Sequence, residues 1–544
     1  MWYGKILNCA TNTGMKRLIV ITLILIAATA YVTVKYFTNL STSAAHAGNV
    51  IRTIPDDAAL VFEFTNESSF YDIYKSNTIL GNLIGRDRLS ELEVVKRVLI
   101  NNAVFKNAFN GHNIFISVHP GVDSDLPLLL TISAKNIDAE GLDDIAKQHP
   151  AGILINPLKL GEKKGYTIYF SQLKKRLFVF HNGGNVFTAS FSKDLMERAA
   201  SYKAPKEQHH FMLLPDQQNS NSLINLYVNY EHLQPIFDRL FIANTEIFKP
   251  FRLLAASSAL NLNYKNEAIM FSGYTMLQTN KPGSYLSIFT QQQPVENHLR
   301  DLYPVTTAYA TGMAVSDIPR FFENVSTFQQ KAGLQDEKDA LLSKIKTETG
   351  IKIEPEFEKL CGNEFAVITT RFNEHFALIA VKNGSELRPF MTNISTMFND
   401  DIGQFNYSKI PYFLLGDVFS IFKKPYFRII DNYLILANSV NELQSFSESY
   451  FKRSFLSKTD KYLPFNKLLA ERSNISFLLH FKNAQQILKQ SLKPQFFIAF
   501  KNSDLSFSNF YGASLQFSAS DKNYYTNFFL LQNPPDSTAT VKTE

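Results

Sequence analysis

The residues able to do chemistry are scattered through this chain. Acidic pairs stand at Asp56-Asp57, Asp143-Asp144 and Asp400-Asp401, and Asp123 and Asp125 form an Asp-x-Asp. General acid-base or calcium chemistry needs oxygens that converge on one point. These pairs fall instead at strand starts, in a helix and in turns, and no glycine-centred calcium loop follows Asp123, so they read as caps, turns and solvated faces. His209-His210 beside Gln208 is the densest imidazole pair, while His112 and His119 bracket an expected strand; all four read as solvated loop residues. Adjacent histidines hold a metal only with ligands from elsewhere, and neither His-Glu-x-x-His nor paired cysteines occur among 11 His and 2 Cys. The nucleophile elbow Gly-x-Ser-x-Gly, the phosphate loop Gly-x-x-x-x-Gly-Lys-Ser/Thr and the dinucleotide pattern Gly-x-Gly-x-x-Gly are missing too. The expectation is therefore no catalytic residue, no metal and no cofactor.

Cys361, in FEKLCGNEF between an expected helix and an expected strand, reads as a buried structural thiol rather than a nucleophile. The densest basic run lies between Lys159 and Arg176, with Lys163-Lys164 and Lys174-Lys175-Arg176. It reads as solvated residues flanking a strand, the alternative being contact with acidic lipid headgroups or a partner.

What must position any site begins at the N-terminus. Leu18 to Val34 (LIVITLILIAATAYVTV) carries no charge, and at 1.5 Å rise it spans about 25 Å, near the lower limit for crossing a bilayer. Lys5, Lys16 and Arg17 precede it without an acid, whereas Asp56, Asp57 and Glu63 follow it. By the positive-inside rule the chain after about residue 38 lies outside the cytoplasm. The reading is an uncleaved anchor; the competing one is a cleaved signal peptide, with small-x-small triplets at Ala28-Thr29-Ala30 and Ala45-His46-Ala47. Translation from Met15 would leave a conventional short basic leader. Cys9 precedes the apolar run, so Cys361 stands alone outside and no intrachain disulfide is available there.

The 544 residues are several times the ~150 of an average domain. Hydrophobic residues at 45% and charged residues at 19% exclude a disordered or collagen-like chain. The 55 basic and 49 acidic residues are too balanced to argue for nucleic acid.

The strongest organisational signal is self-similarity at about 250 residues. RLFVFHNGGNVFTASFSKDLMERAASY from Arg176 parallels YFRIIDNYLILANSVNELQSFSESY from Tyr426, with Ser192 and Asn441 near the helix starts as N-cap chemistry favours. LLLTISAKN from Leu128 parallels HFALIAVKN from His375, and NIFISV from Asn113 parallels NEFAVI from Asn363. INLYVNYEHLQPIF from Ile224 parallels FLLHFKNAQQIL from Phe477, IPDDAALVFEF from Ile54 parallels YPVTTAYATGMAV from Tyr303, and TMLQTNKP from Thr275 parallels FLLQNPP from Phe528. Alternating β-branched and aromatic residues give strands, and apolar residues three or four apart give helices. Tight turns such as His181-Asn182-Gly183-Gly184 point to antiparallel pairing.

The expected fold class is α+β: a transmembrane helix, then two tandemly duplicated units, each a mainly antiparallel sheet with helices packed on it. The boundaries are 1–17 cytoplasmic N-terminus, 18–37 transmembrane helix, 38–50 linker, 51–280 first unit, 281–300 linker between units, 301–533 second unit and 534–544 disordered tail.

With these residues in place, IPDDAALVFEFTNESSFYDIYKSNTILGNL behind an anchor, and FVFHNGGNVFTASFSKDLMERA later, resemble the family labelled domain of unknown function 3352. The second unit departs from it where Pro304-Val305-Thr306-Thr307-Ala308 replaces the acidic pair. The resemblance implies an envelope protein and carries over no functional residue. The expected function is a single-pass inner-membrane protein presenting a periplasmic binding or scaffolding ectodomain to a protein partner, without catalysis. The alternative is a carrier or sensor of lipids or other apolar ligands, motivated by 47 Phe and by units able to enclose a cavity. A hydrolase would need His, Asp and Ser or Cys in mutual hydrogen-bond reach within a cleft.

Overall fold

The computed structural model describes residues 50–67, 86–100, 111–121, 126–134, 152–183, 185–203, 222–242, 254–265, 267–278, 284–501 and 509–533, with positions 109, 143, 144, 147 and 247. The expected membrane helix at 18–37, the tail at 534–544, His209, His210, Asp123 and Asp125 lie outside the described residues. Among the described residues no helix is long and apolar enough to cross a membrane.

The molecule is α+β and built around a large antiparallel sheet. Its first strands are β1 (Leu60–Thr65), β2 (Asn113–Val118), β3 (Leu128–Ser133), β4 (Ile153–Leu160), β5 (Lys163–Phe170), β6 (Lys175–His181), β7 (Val186–Ser190), β8 (Asn225–Asn229), β9 (Ala256–Lys265) and β10 (Ala268–Leu277). After the two-residue β11 (Val295–Glu296) come β12 (Thr307–Ala314), β13 (Cys361–Thr370), β14 (His375–Val381), β15 (Ser395–Met397), β16 (Ile402–Phe405), β17 (Tyr426–Ile430) and β18 (Tyr433–Ala437). The chain closes with β19 (Arg472–Ser473), β20 (Ile475–His480), β21 (Phe510–Ser520) and β22 (Asn523–Gln532).

Hydrogen-bonded neighbours run β4-β5-β6-β7-β3-β2-β1-β8-β9-β10 and then, across one seam, β22-β21-β20-β12-β13-β14-β18-β17-β16-β15. These make a continuous 20-stranded sheet, while β11 and β19 pair separately. The order is the same read outward from either side of the β10–β22 seam.

Period-two patterning decides which face is buried. On β10 and β22, Ile269, Phe271 and Leu530 point into the largest core cluster, with Phe528 packed against it. Helices cover that face: in Ile318–Lys331, Phe321, Phe322, Val325 and Phe328 recur at helical spacing and are all buried. Phe321 stacks on Phe365 of β13 with ring centroids 5.4 Å apart.

The described part of the expected linker joins the two sets of strands as packed structure, because its residues are apolar. Tyr285–Phe289 is a short 3-10 helix whose Tyr285, Leu286, Ile288 and Phe289 are buried, each such side chain contributing about 2 kcal/mol. Tyr524 of β22 donates its hydroxyl to the Leu286 carbonyl. The buried Gln292 amide oxygen accepts from Ser316 N and Asp317 N, both at 2.8 Å.

One helix start lies two residues from its expected place. The cap opposite Ser192 is Ser439, whose hydroxyl accepts from Glu442 N at 3.2 Å, while the Glu442 carboxylate accepts from Asn438 N at 2.8 Å. A Ser-x-x-Glu arrangement satisfies two orphan donors, which leaves Asn441 inside the first turn.

Candidate functional site

Two of the residues picked out in the sequence meet. Residues i and i+2 of a strand share a face, so Ser117 at the end of β2 and His119 just beyond it come together, with His119 Nε2 2.8 Å from Ser117 Oγ. The lead-in turn to β1 brings Asp57 to the opposite ring nitrogen, with Nδ1 2.7 Å from Oδ1. The helix Lys193–Ser201 closes the group: Arg198 hydrogen-bonds the second Asp57 oxygen, donates to the Pro120 carbonyl at 2.9 Å and pairs with Asp194 at 3.2 Å. Tyr202 adds a 2.6 Å bond to Asp56.

His119 is not a solvated loop residue, as its position in the sequence suggested; it is fully buried, as is Ser117. Strand alternation continues one step past β2 and carries the ring beneath the lead-in turn. Burial disfavours the imidazolium, and although Asp57 opposes that, the His119 pKa is held below its ordinary value. Burial alone would raise the Asp57 carboxyl, but the bond and charge of His119 and the Arg198 guanidinium outweigh it and hold the pKa below the usual range. The consistent protonation is a neutral ring whose Nδ1–H donates to ionised Asp57 and whose Nε2 accepts from Ser117.

The connectivity is that of a Ser-His-Asp triad, yet nucleophilic catalysis needs a hydroxyl that substrate can reach and donors for an oxyanion. Ser117 sits in a central strand, paired with Leu129 of β3 and Val61 of β1, at 0% exposure. Its hydroxyl can also reach the Leu129 carbonyl, at 3.4 Å. Asp57 is engaged by Arg198, which ties it to the helix. The arrangement is a closed polar lock between the lead-in turn, β2 and the helix.

The other acidic pairs do not converge. Asp143 takes Lys164 and Tyr166, and Asp144 takes Lys147. Asp401 pairs with Arg428 at 3.0 Å in a turn organised by Asn399. His112 Nδ1 lies 3.1 Å from Ser133 Oγ. Cys361 is fully buried, and burial pushes its thiol up. Among the described residues no group of three His, Cys, Asp or Glu could hold a metal ion.

Sequence reasoning missed two buried carboxylates. Glu63 of β1 accepts from Asn113 at 2.7 Å, Asn225 at 3.2 Å and the Tyr227 hydroxyl at 2.7 Å. Glu364 of β13 accepts from Leu299 N at 3.0 Å and meets His298 Nδ1 at 2.9 Å, which raises the His298 pKa. Inside otherwise apolar strands both could have been flagged as charges needing partners.

The apolar core beside the second set of strands leaves little space among its described residues. A cavity lined by Phe357, Ile379, Phe390, Leu414 and Leu436 has a volume of about 10 Å³, hardly room for one water.

No protein-family model matches this chain, and no curated protein matches it. Crystal forms I, III and IV of TP0453 are similar in part, at 11% identity over 43%, 43% and 41% of this chain and 80%, 81% and 79% of that one. Their TM-scores are 0.22, 0.20 and 0.21, and likeness at that level carries no argument about fold or function.

Proposed function

We propose that the protein is a non-enzymatic binding or scaffolding protein of a bacterial envelope, held to the inner membrane by residues 18–37 and presenting two duplicated α+β units in the periplasm to a protein partner. The observation that carries the duplication is the identical strand order outward from the β10–β22 seam.

Register adds support. The β9–β10 turn is closed by the pair Lys265–Ala268 and the β21–β22 turn by Ser520–Asn523, so both positions are offset by 255. Helix caps Asn229 and His480 are offset by 251, and Ser192 and Ser439 by 247. With the 255 offset, Ser272 and Asn527 are equivalent, and they face each other in the seam. A local two-fold axis then passes between them, the arrangement of a dimer whose subunits have become one chain. Two like units fused this way offer a partner two related surfaces.

The closed Ser117-His119-Asp57 group favours binding or scaffolding over hydrolysis at that place, and the small cavity beside the second set of strands favours it over carriage of an apolar ligand there. The resemblance to the domain of unknown function 3352 family points to the same compartment and names no activity. In-cell crosslinking of the full-length protein, with mass spectrometry of the proteins and lipids recovered, tests the reading. A specific protein at stoichiometric yield is expected; lipid enrichment without a protein partner would replace scaffolding by carriage.

A further inference from the structure

The basic run between Lys159 and Arg176 lies on two successive hairpins, β4–β5 and β5–β6, at the outer end of the sheet. Cross-strand partners share a face, so Leu154, Tyr169 and Arg176 form one row across β4, β5 and β6. Leu154 is 62% exposed, and the β5–β6 turn beside the row contributes exposed Lys174. From Tyr169 to Arg176 there are three bases and no acid. Glu91 neutralises Lys175, while Lys174 and Arg176 have no ion pair among the described residues. The corresponding outer strands beyond the other side of the seam, β15 and β16, are 3 and 4 residues long and carry no base.

The occupant of this face is constrained from two directions. β4 is the last strand, but Pro157 in its middle lacks an N–H, and a strand so placed resists extension by another peptide. Val50, the first described residue, shares a buried cluster with Phe115 and Val186. Val186 opens β7, whose Thr188 and Ser190 oppose Phe180 and Phe178 of β6, so Val50 lies on the same face of the sheet as Arg176, towards the other end of β6. Residues 38–49 can reach at most about 40 Å, which leaves this face of the sheet within reach of a bilayer that holds residues 18–37.

We infer that the β5–β6 turn and the Leu154-Tyr169-Arg176 row form a second membrane contact, with Lys174 and Arg176 on anionic phospholipid headgroups and Leu154 and Tyr169 at headgroup depth. Bases near an anionic surface and an amphipathic Tyr at the interface are the two chemistries such a contact uses. This contact rests on the anchor proposed above, and it orients the ectodomain on the bilayer.

The test is amide hydrogen exchange of the full-length protein in nanodiscs of phosphatidylcholine alone and with about 30% phosphatidylglycerol. Amides 169–176 are expected to exchange about tenfold more slowly in the anionic discs only, and the slowing should vanish at about 1 M salt. It should also vanish in the Lys174→Glu/Arg176→Glu variant while β10 and β22 amides keep their wild-type protection, which shows that the variant folds. Equal exchange in both lipids, or slowing that survives the double substitution, overturns the contact. A chain that fails to enter the discs overturns the anchor itself, and the contact with it.

Discussion

Ser272 of β10 stands directly opposite Asn527 of β22, at the centre of the seam that joins the two sets of strands. Beside it Thr275 and Thr526 share a buried hydroxyl contact at 2.6 Å, and the core on one face of the seam runs without a break from Ile224 to Leu530. The two sets should therefore unfold together. Calorimetry of the intact protein is expected to give a single transition, and two resolved transitions would show that the seam does not couple them.

Close backbone approach at the same seam makes Gly273 sensitive. A Cβ at this position would lie 2.1 Å from the Ala259 carbonyl oxygen on β9, and a paired strand cannot yield as a side chain can. Gly273→Ala should destabilise by about 1–3 kcal/mol, read as a lowered denaturant midpoint. An unchanged midpoint would mean that β9 shifts freely.

His480 should make stability depend on acid. Its Nδ1 caps the helix Phe481–Ser491 by accepting from Asn483 N at 3.2 Å, which a protonated nitrogen cannot do. Burial, with the like charge of Lys482, pulls its folded pKa down to about 4. The unfolded chain thus takes up the proton first: the contribution is complete above about pH 6.5 and is lost as pH falls towards about 4, roughly 3 kcal/mol in all. His119, also lowered, acts in the same sense; the exposed His298, raised by Glu364, gives a small opposite term that is lost as pH rises. Denaturant midpoints measured down the pH scale should drop less steeply in His480→Asn, which keeps a capping oxygen without titrating. An identical slope would remove His480 as a source.

The Ser117 hydroxyl should be inert. Fluorophosphonate probes are expected to leave the native protein unlabelled, since the serine is closed in between β1 and β3. Labelling that disappears in Ser117→Ala would reopen the hydrolase reading. Arg198→Ala should cost about 1–2 kcal/mol, by unpairing the Pro120 carbonyl and one partly exposed Asp57 oxygen.

Glu63 is satisfied by neutral donors alone among its described partners. Glu63→Leu would strand the Asn113 and Tyr227 donors in the core and should cost about 3 kcal/mol or more, whereas Glu63→Gln keeps acceptor and shape and should cost less. Equal losses for the two variants, measured by denaturation, would show that volume rather than hydrogen bonding matters there.

How far the sequence reached can be judged from particular elements. Strands β2, β3, β6 and β7, the hairpin at Gly183, the cap at Ser192 and the burial of Cys361 were all legible, because alternation, turn residues and capping are properties of neighbouring residues. The cap at Ser439 is not distinguished from Asn441 by pattern, because a two-residue shift leaves the apolar spacing unchanged. The burial of His119 is not legible locally, because it depends on the lead-in turn, some 60 residues earlier in the chain.

The sequence by itself determined the α+β class and the order of many elements, since each follows from the pattern of neighbouring residues. The tertiary structure decided that β10 meets β22, that Tyr285 to Phe289 is core, that Asp57, Ser117, His119 and Arg198 form a closed lock, and that Arg176 stands in one row with Tyr169 and Leu154. The reason is physical: a period-two pattern says which face of a strand is buried but not which strand lies beside it. Neighbours far apart in sequence are chosen by the packing of the whole sheet.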